Sequence, residues 1–185
     1  MTTAFEGLAE RYQDRIFSFA RYLLSNREEA EEVTQEVLIR LWRHQDGLDL
    51  QRVGSWILRV TRNASYDLLR SRRSAARAMP KVSLEEVEEA HQVPSAERDP
   101  ESLAQAGDFK RALAAALAGL AEPYKSVVIL HEVEGLPHQE IAEALGIPEV
   151  TVRVHLHRGR KKLREQLREV YQPWHGTSKL AASGS

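Results

Sequence analysis

The chain has 185 residues, a formal net charge of −1 and 42% hydrophobic residues, which suits one packed domain or two small ones. It contains no cysteine, so disulfides and thiolate chemistry are excluded. No apolar run of about eighteen residues is present and the start, Met1-Thr2-Thr3-Ala4-Phe5-Glu6, lacks a basic-then-apolar leader pattern, so a cytoplasmic protein without membrane insertion is the simplest expectation.

Phe5, Leu8, Tyr12, Ile16, Phe19 and Leu23 recur at steps of three and four, the period of an amphipathic helix. Ser25-Asn26-Arg27-Glu28-Glu29 restarts the chain, and Ser25 with Glu28, or Asn26 with Glu29, has the spacing of a capping box. A second helix turns Ala30, Val33, Val37, Leu38 and Leu41 inward and an acidic face, Glu29, Glu32 and Glu36, outward. The segment from Arg43 to Arg52 is a polar loop around Gly47. A third helix sets Trp56, Ile57, Val60, Ala64 and Leu68 on one face, and Arg59, Arg62, Asn63, Tyr66 and Arg70 on the other. From about Ser74 to Ala106 the periodicity fades, Pro80, Pro94 and Pro100 intervene, and acids accumulate, which reads as a flexible linker. Helices resume with Phe109, Leu113, Ala116, Leu117 and Leu120 on one face. Another helix starts near Pro123 and ends at Gly135, and a short one ends at Gly146. The last stretch, from Gly176 to Ser185, is small and polar and reads as a disordered tail or a cloning scar.

The near-zero net charge hides a segregation. Five arginines and one acid lie between Ile57 and Arg73, seven Lys or Arg and two acids between Val150 and Val170, and seven acids and one arginine between Leu84 and Glu101. A polyanion responds to such local patches more than to the total.

The segment from Glu149 to Leu167 reads two ways. Val150, Val152, Val154 and Leu156 alternate with polar residues, as in a half-buried strand. As a helix, the same stretch places Val152, Leu156, Gly159, Leu163 and Leu167 on one inner stripe. A strand needs a pairing partner, and nothing else in the chain offers one. The helix reading therefore holds despite three valines of modest helix propensity. Gly146 supplies a left-handed turn before it, and two helices joined by such a turn form a helix-turn-helix unit. On the outer side, Arg153, His157 and Arg158 suit base edges and phosphates. Val150 and Val154 share that side and either meet thymine methyl groups or bury against another helix. The expected fold is all-α, two small helical domains joined by a flexible acidic linker.

Three blocks carry a resemblance: "AEEVTQEVLIRLW" from Ala30, "SWILRVTRNASYDLLRSRR" from Ser55, and the long block from Leu120 to Leu163 that contains "HQEIAEALGIPEVTVRVHLHRGRKKL". In this order they resemble bacterial sigma factors of the extracytoplasmic-function class, group IV of the RNA polymerase sigma-70 family. The resemblance covers most of residues 5 to 168. It implies a region 2 domain over residues 1–74, a linker over 75–106, a region 4 helix-turn-helix domain over 107–171, and a tail over 172–185. It implies a factor that binds core RNA polymerase and directs promoter-specific initiation by reading minus-10 and minus-35 elements and helping to melt the DNA.

The implied roles carry over residue by residue. Glu32, Gln35 and Glu36 match the face that docks on core polymerase, although the family more often has aspartate where Glu32 stands. Arg59, Arg62, Asn63 and Arg70 match the side facing the minus-10 element, with the loop from Gln45 to Val53 receiving a flipped base. Val150, Arg153, Val154, His157 and Arg158 match the minus-35 reader. The family's recognition helix usually begins Gly-Thr-Val-Lys/Arg-Ser-Arg-Leu, and here Val150, Val154 and His155 replace the glycine, the serine and the arginine. The docking mode is thus expected to hold, but not the family's DNA sequence preference. Core polymerase, promoter DNA and an anti-sigma factor are the implied partners.

An enzyme is the weaker reading, so no catalytic residue, metal or cofactor is expected. "HEVEG" at His131 begins like a zinc protease motif, but Gly135 stands where the second histidine is needed. A stand-alone dimeric regulator would account for the last two helices but not for the acidic face of the second helix or for the helix that carries Asn63.

Overall fold

The computed structural model describes residues 4–44, 47, 49–78 and 100–171. Every regular element among them is helical: α1 Ala4–Leu24, α2 Arg27–His44, α3 Val53–Ala78, α4 Pro100–Gly119, α5 Tyr124–Val128, α6 His138–Leu145 and α7 Glu149–Tyr171. A π-helical turn, Ile129–Val133, continues α5. The segment from Glu149 is therefore helical. The third helix runs four residues beyond the expected limit at residue 74, and the fourth starts at Pro100 rather than after 106. Both extensions lack an apolar stripe, which is why periodicity did not reveal them. Most of the acidic linker and the tail lie outside the described residues.

The first three helices pack on one another around Tyr12, Ile16, Ala20, Val33, Val37, Leu41 and Ile57, all buried. Asn26 caps α2, its Oδ1 accepting the Glu29 N–H at 3.0 Å, which satisfies one of the orphan donors at the helix start. Ser25, just before it, takes a positive φ of 56°. Glu29 does not join the outer acidic face. It is half-buried against α3, where its Oε1 lies 3.6 Å from Arg72.

The second group of helices closes around Leu117, Leu120, Val127, Val128, Ile129, Leu130, Ile141 and Val152. Phe109 is 47% exposed and does not share the buried face of Leu117 and Leu120. The expected single helix up to Gly135 is instead five residues of α-helix followed by the π turn, in which Glu134 N–H bonds Ile129 O at 3.1 Å. The unbroken apolar run from Val127 to Leu130, buried throughout, carries no period that would mark this change.

Gly146 has φ of 66° and ends α6 in the left-handed conformation. The next N–H, on Ile147, bonds Ala142 O at 3.1 Å, and Pro148 O accepts from Thr151 at 2.9 Å as α7 begins. Helix α7 then lies close on α5. A Cβ on Gly159 would stand 2.5 Å from Val128 Cγ2, so only glycine permits this approach. Val152 and Leu156 anchor the same stripe, with Leu163 two turns beyond Leu156.

Gly159→Ala gains up to about 1 kcal/mol of helix propensity but overpacks a stiff, buried valine, at about 1–3 kcal/mol. Urea denaturation is expected to show a lower midpoint for Gly159→Ala. Gly7, also helical but with open space around it, is the control, and Gly7→Ala is expected to raise the midpoint.

Candidate DNA and polymerase interfaces

Three faces collect the expected site residues. On α2, Glu32, Gln35 and Glu36 are all exposed at helical spacing, and Glu36 pairs with Arg40 one turn on. Ile39 and Trp42 continue this ridge and are 49% and 57% exposed. Sequence reasoning passed over them. The available signal was two large apolar residues out of step with the buried Val37 and Leu41.

On α7, Val150, Arg153, Val154, His157 and Arg158 are exposed on one side, opposite the buried Val152 and Leu156. Val150 is 65% and Val154 42% exposed. Of the two fates open to these valines, burial against another helix is not seen among the described residues. Arg153 pairs with Glu149 one turn back, a surface pair worth about 0–1 kcal/mol that yields readily to a stronger partner. His155 turns the other way, edge-on to the Tyr124 ring at 5.5 Å.

The α3 face is different. Arg59, Arg62, Asn63 and Arg70 share one stripe, but its members have unequal surroundings. Asn63 and Arg70 are exposed, with Arg70 3.1 Å from Asp67 of the preceding turn. Arg59 donates from Nη2 to Glu143 O at 2.6 Å and from Nε to Ala144 O at 3.3 Å. These carbonyls belong to the last turn of α6, where backbone acceptors lack helical partners and the helix dipole favours a cation. Arg62 donates to Ser126 Oγ at 3.3 Å and to Glu122 Oε2 at 3.5 Å. Glu122 also accepts from the Tyr66 hydroxyl, and from Ser126 Oγ at 2.8 Å. Burial raises the Tyr66 hydroxyl above its usual pKa, and the hydrogen bond to Glu122 adds to the rise. Between these groups lies a cleft of about 780 Å³, lined among others by Arg62, Asn63, Arg70 and Arg73 of α3 and by Glu122 and Lys125.

The two helical groups therefore meet. Phe19, Leu23 and Leu58, from α1 and α3, are 2% exposed or less and belong to the same apolar cluster as Val127, Leu130 and Ile141. Lys125 Nζ donates to Leu23 O at 2.8 Å, and its pKa is lowered by burial, against the opposing pull of Glu122. Ser18 Oγ donates to Glu134 Oε1 at 2.6 Å, and Arg15 lies 3.7 Å from the other oxygen. Among the described residues no group of three His, Asp or Glu side chains is placed to hold a metal ion, and no helix is long and apolar enough to cross a membrane.

Two packed helical units, the second ending in a helix-turn-helix with an open basic face, define a nucleic-acid-binding protein of two modules. Residues 8–75 match the family "Sigma-70 region 2" and residues 110–163 the family "Sigma-70, region 4". The RNA polymerase sigma-E factor of Streptomyces avermitilis is 32% identical over 164 residues, covering 88% of this chain and 84% of that protein. The ECF RNA polymerase sigma factor SigE of Mycolicibacterium smegmatis is 32% identical over 89% of this chain, which spans 62% of that relative's length. SigW of Bacillus subtilis is 29% identical over 90% of each chain. Among solved structures, the sigma factor RpoE in complex with the anti-sigma factor NepR from Bartonella quintana matches with TM-score 0.67 and 25% identity, over 89% of this chain and 96% of that one. The chain belongs to the sigma-70 family of RNA polymerase sigma factors, in the extracytoplasmic-function class. Proteins of this family confer promoter-specific initiation on RNA polymerase.

Burial raises the Glu134 carboxyl above its ordinary 4.5, against the lowering by Ser18 and Arg15. The folded chain thus holds that proton more tightly than the unfolded chain does. Its contribution favours folding at low pH and is lost as pH rises through the raised value. Glu134→Gln removes the titration. Urea denaturation across a pH series is expected to show the stability of the parent, relative to Glu134→Gln, falling from below 4.5 to neutrality.

Proposed function

We propose that α2 docks on core polymerase through Glu32, Gln35 and Glu36, with Ile39 and Trp42 as apolar anchors of the same ridge. An acidic ridge with two exposed large apolar residues suits a basic, partly apolar partner surface, and aromatic residues are typical anchors of such contacts. Residues 1–74 form the polymerase-binding and minus-10 unit and residues 107–171 the minus-35 unit, joined by the acidic segment 75–106. In the cytoplasm, the assembled complex selects promoters, with Arg59, Arg62, Asn63 and Arg70 holding the opened minus-10 strand. Extruding a base there costs a few kcal/mol, which the arginine contacts to phosphates help to offset.

The observation that carries this reading is α7. Its inner stripe is buried and Val150, Arg153, Val154, His157 and Arg158 face outward from the first half of the second helix. That is where a recognition helix meets base edges in the major groove. An inhibitory protein is a further proposed partner, supported by the likeness to a sigma factor held by an anti-sigma factor.

Run-off transcription with core polymerase and a randomised promoter library tests the whole. The parent chain is expected to initiate from a defined promoter class without another sigma factor. Arg153→Ala and Arg158→Ala are each expected to lose about 1–3 kcal/mol at the minus-35 element, 5- to 150-fold in promoter use. Glu36→Lys is expected to weaken the association with core polymerase and leave the recovered sequences unchanged. Initiation absent in all cases would overturn the assignment.

Val154 is expected to favour a thymine-containing step through methyl contact. Promoter-mutation scans of the parent and of Val154→Ser should then differ at one minus-35 position. Identical base preferences in the two scans would exclude that contact.

A further inference from the structure

The cleft between α3 and the junction of α4 with α5 is largely charged on one wall and largely apolar on the other. Its lining includes four cationic side chains, Arg62, Arg70, Arg73 and Lys125, against two carboxylates, Asp67 and Glu122. Both carboxylates are engaged. Glu122 accepts from the Tyr66 hydroxyl, from Ser126 N–H at 3.2 Å, from Ser126 Oγ at 2.8 Å and from Arg62 at 3.5 Å. Asp67 is 64% exposed beside Arg70, a surface pair that yields to a stronger anion. We propose that this cleft binds an oligophosphate, the phosphate chain of a nucleoside polyphosphate or of inorganic polyphosphate, in the protein free of polymerase.

Size, spacing and donor chemistry agree on this ligand. The cleft holds about 780 Å³, within the roughly 300–1,000 Å³ of small-molecule sites. Arg62 to Arg73 spans roughly 16 Å along α3 at about 1.5 Å per residue, long enough for several linked phosphates rather than one. Arg70 and Arg73 are exposed and one turn apart, so their guanidinia reach a common anion. Each presents a planar fork that matches two phosphate oxygens. Asn63, two turns before Arg70, adds an exposed amide donor. Lys125 is buried with its ammonium bonded to Leu23 O, so it contributes field rather than contact. A lone carboxylate would leave most of these donors unused. On the facing wall Ala118 and Ala121 are exposed and short. Their methyl groups keep that wall open and apolar, which suits the flat face of a base. Asn63 and Arg70 are also the proposed minus-10 contacts, but the oligophosphate site needs no DNA and stands apart from that role.

Isothermal titration calorimetry of the full-length protein at physiological salt, with ATP and separately with tripolyphosphate, tests the site. Saturable binding at a single site is expected. The double variant Arg70→Ala/Arg73→Ala should weaken it at least roughly tenfold, since each arginine supplies charge-assisted bonds. Lys161→Ala/Arg164→Ala removes two exposed cations from α7 instead and should leave the binding unchanged. All four changed positions are exposed, and thermal unfolding like that of the parent confirms that each variant folds. Comparison of the two ligands identifies the source of the phosphate chain. ATP bound more tightly than tripolyphosphate identifies a nucleotide, and Ala118→Trp, which fills the apolar wall, should then cancel the difference. Equal affinities identify inorganic polyphosphate. Either result keeps the oligophosphate site. No saturable binding of either ligand overturns it, and so does an equal loss in the two double variants, which is the mark of diffuse attraction. Those results leave the minus-10 reading as it was, because no DNA enters the titration.

Discussion

Phe19, Leu23 and Leu58 are buried in one apolar cluster with Val127, Leu130 and Ile141, and the position of every charged group between the two helical units follows from that burial. Each such side chain contributes about 1.5–3 kcal/mol relative to exposure. The surface ion pairs of the chain, such as Arg27 with Glu31, contribute about 0–1 kcal/mol each. The apolar seam therefore sets the geometry, and the polar contacts adapt to it. Lys125, Glu134 and Arg62 are enclosed because they lie around the rim of this seam. Each finds a partner there: Leu23 O for Lys125, Ser18 and Arg15 for Glu134, Glu122 for Arg62.

The same economy of side chains builds both α3 and α7. On α7 a stripe of small and branched residues, with Gly159 at the closest approach, fixes the helix on α5 and leaves the opposite side to Arg153, His157 and Arg158. On α3, Ile57, Leu58, Thr61, Ala64 and Ser65 are buried. Thr61 and Ser65 satisfy their hydroxyls by donating to Ile57 O and Thr61 O, at 2.9 Å each. Polar groups are thus kept inside α3 without an external partner, and the arginine stripe is spared that task. The two helices differ in what faces their outer side. Solvent meets α7, whereas α6 and Glu122 meet α3.

Much of the fold was legible in advance. The steps of three and four in α1 and α2, the left-handed Gly146 and the buried stripe of α7 are local properties, because helical periodicity and a glycine turn are written within a few consecutive residues. The α2 ridge and the outer α7 face followed from the same periodicity. What escaped has a physical cause in each case. The continuous apolar run from Val127 to Leu130 is compatible with an α or a π turn, so the widening at Ile129 left no mark. Glu29 looked like a member of the acidic face until Arg72, on another helix, drew it inward. Ile39 and Trp42 were apolar residues without an assigned neighbour, and only the packing showed that about half of each side chain stays exposed among the described residues.

By itself, then, the order of residues determined the amphipathic periodicity of α1, α2, α3 and α7, the helix-turn-helix corner and the segregation of arginines onto two outer stripes, since all of these depend on spacing along one segment. Tertiary structure alone decided that Arg59 meets the end of α6 and that Arg62 meets Glu122. Those contacts join positions sixty to eighty-five apart, and no local pattern encodes them. They exist because three apolar side chains of the first unit are more stable inside the second than in water.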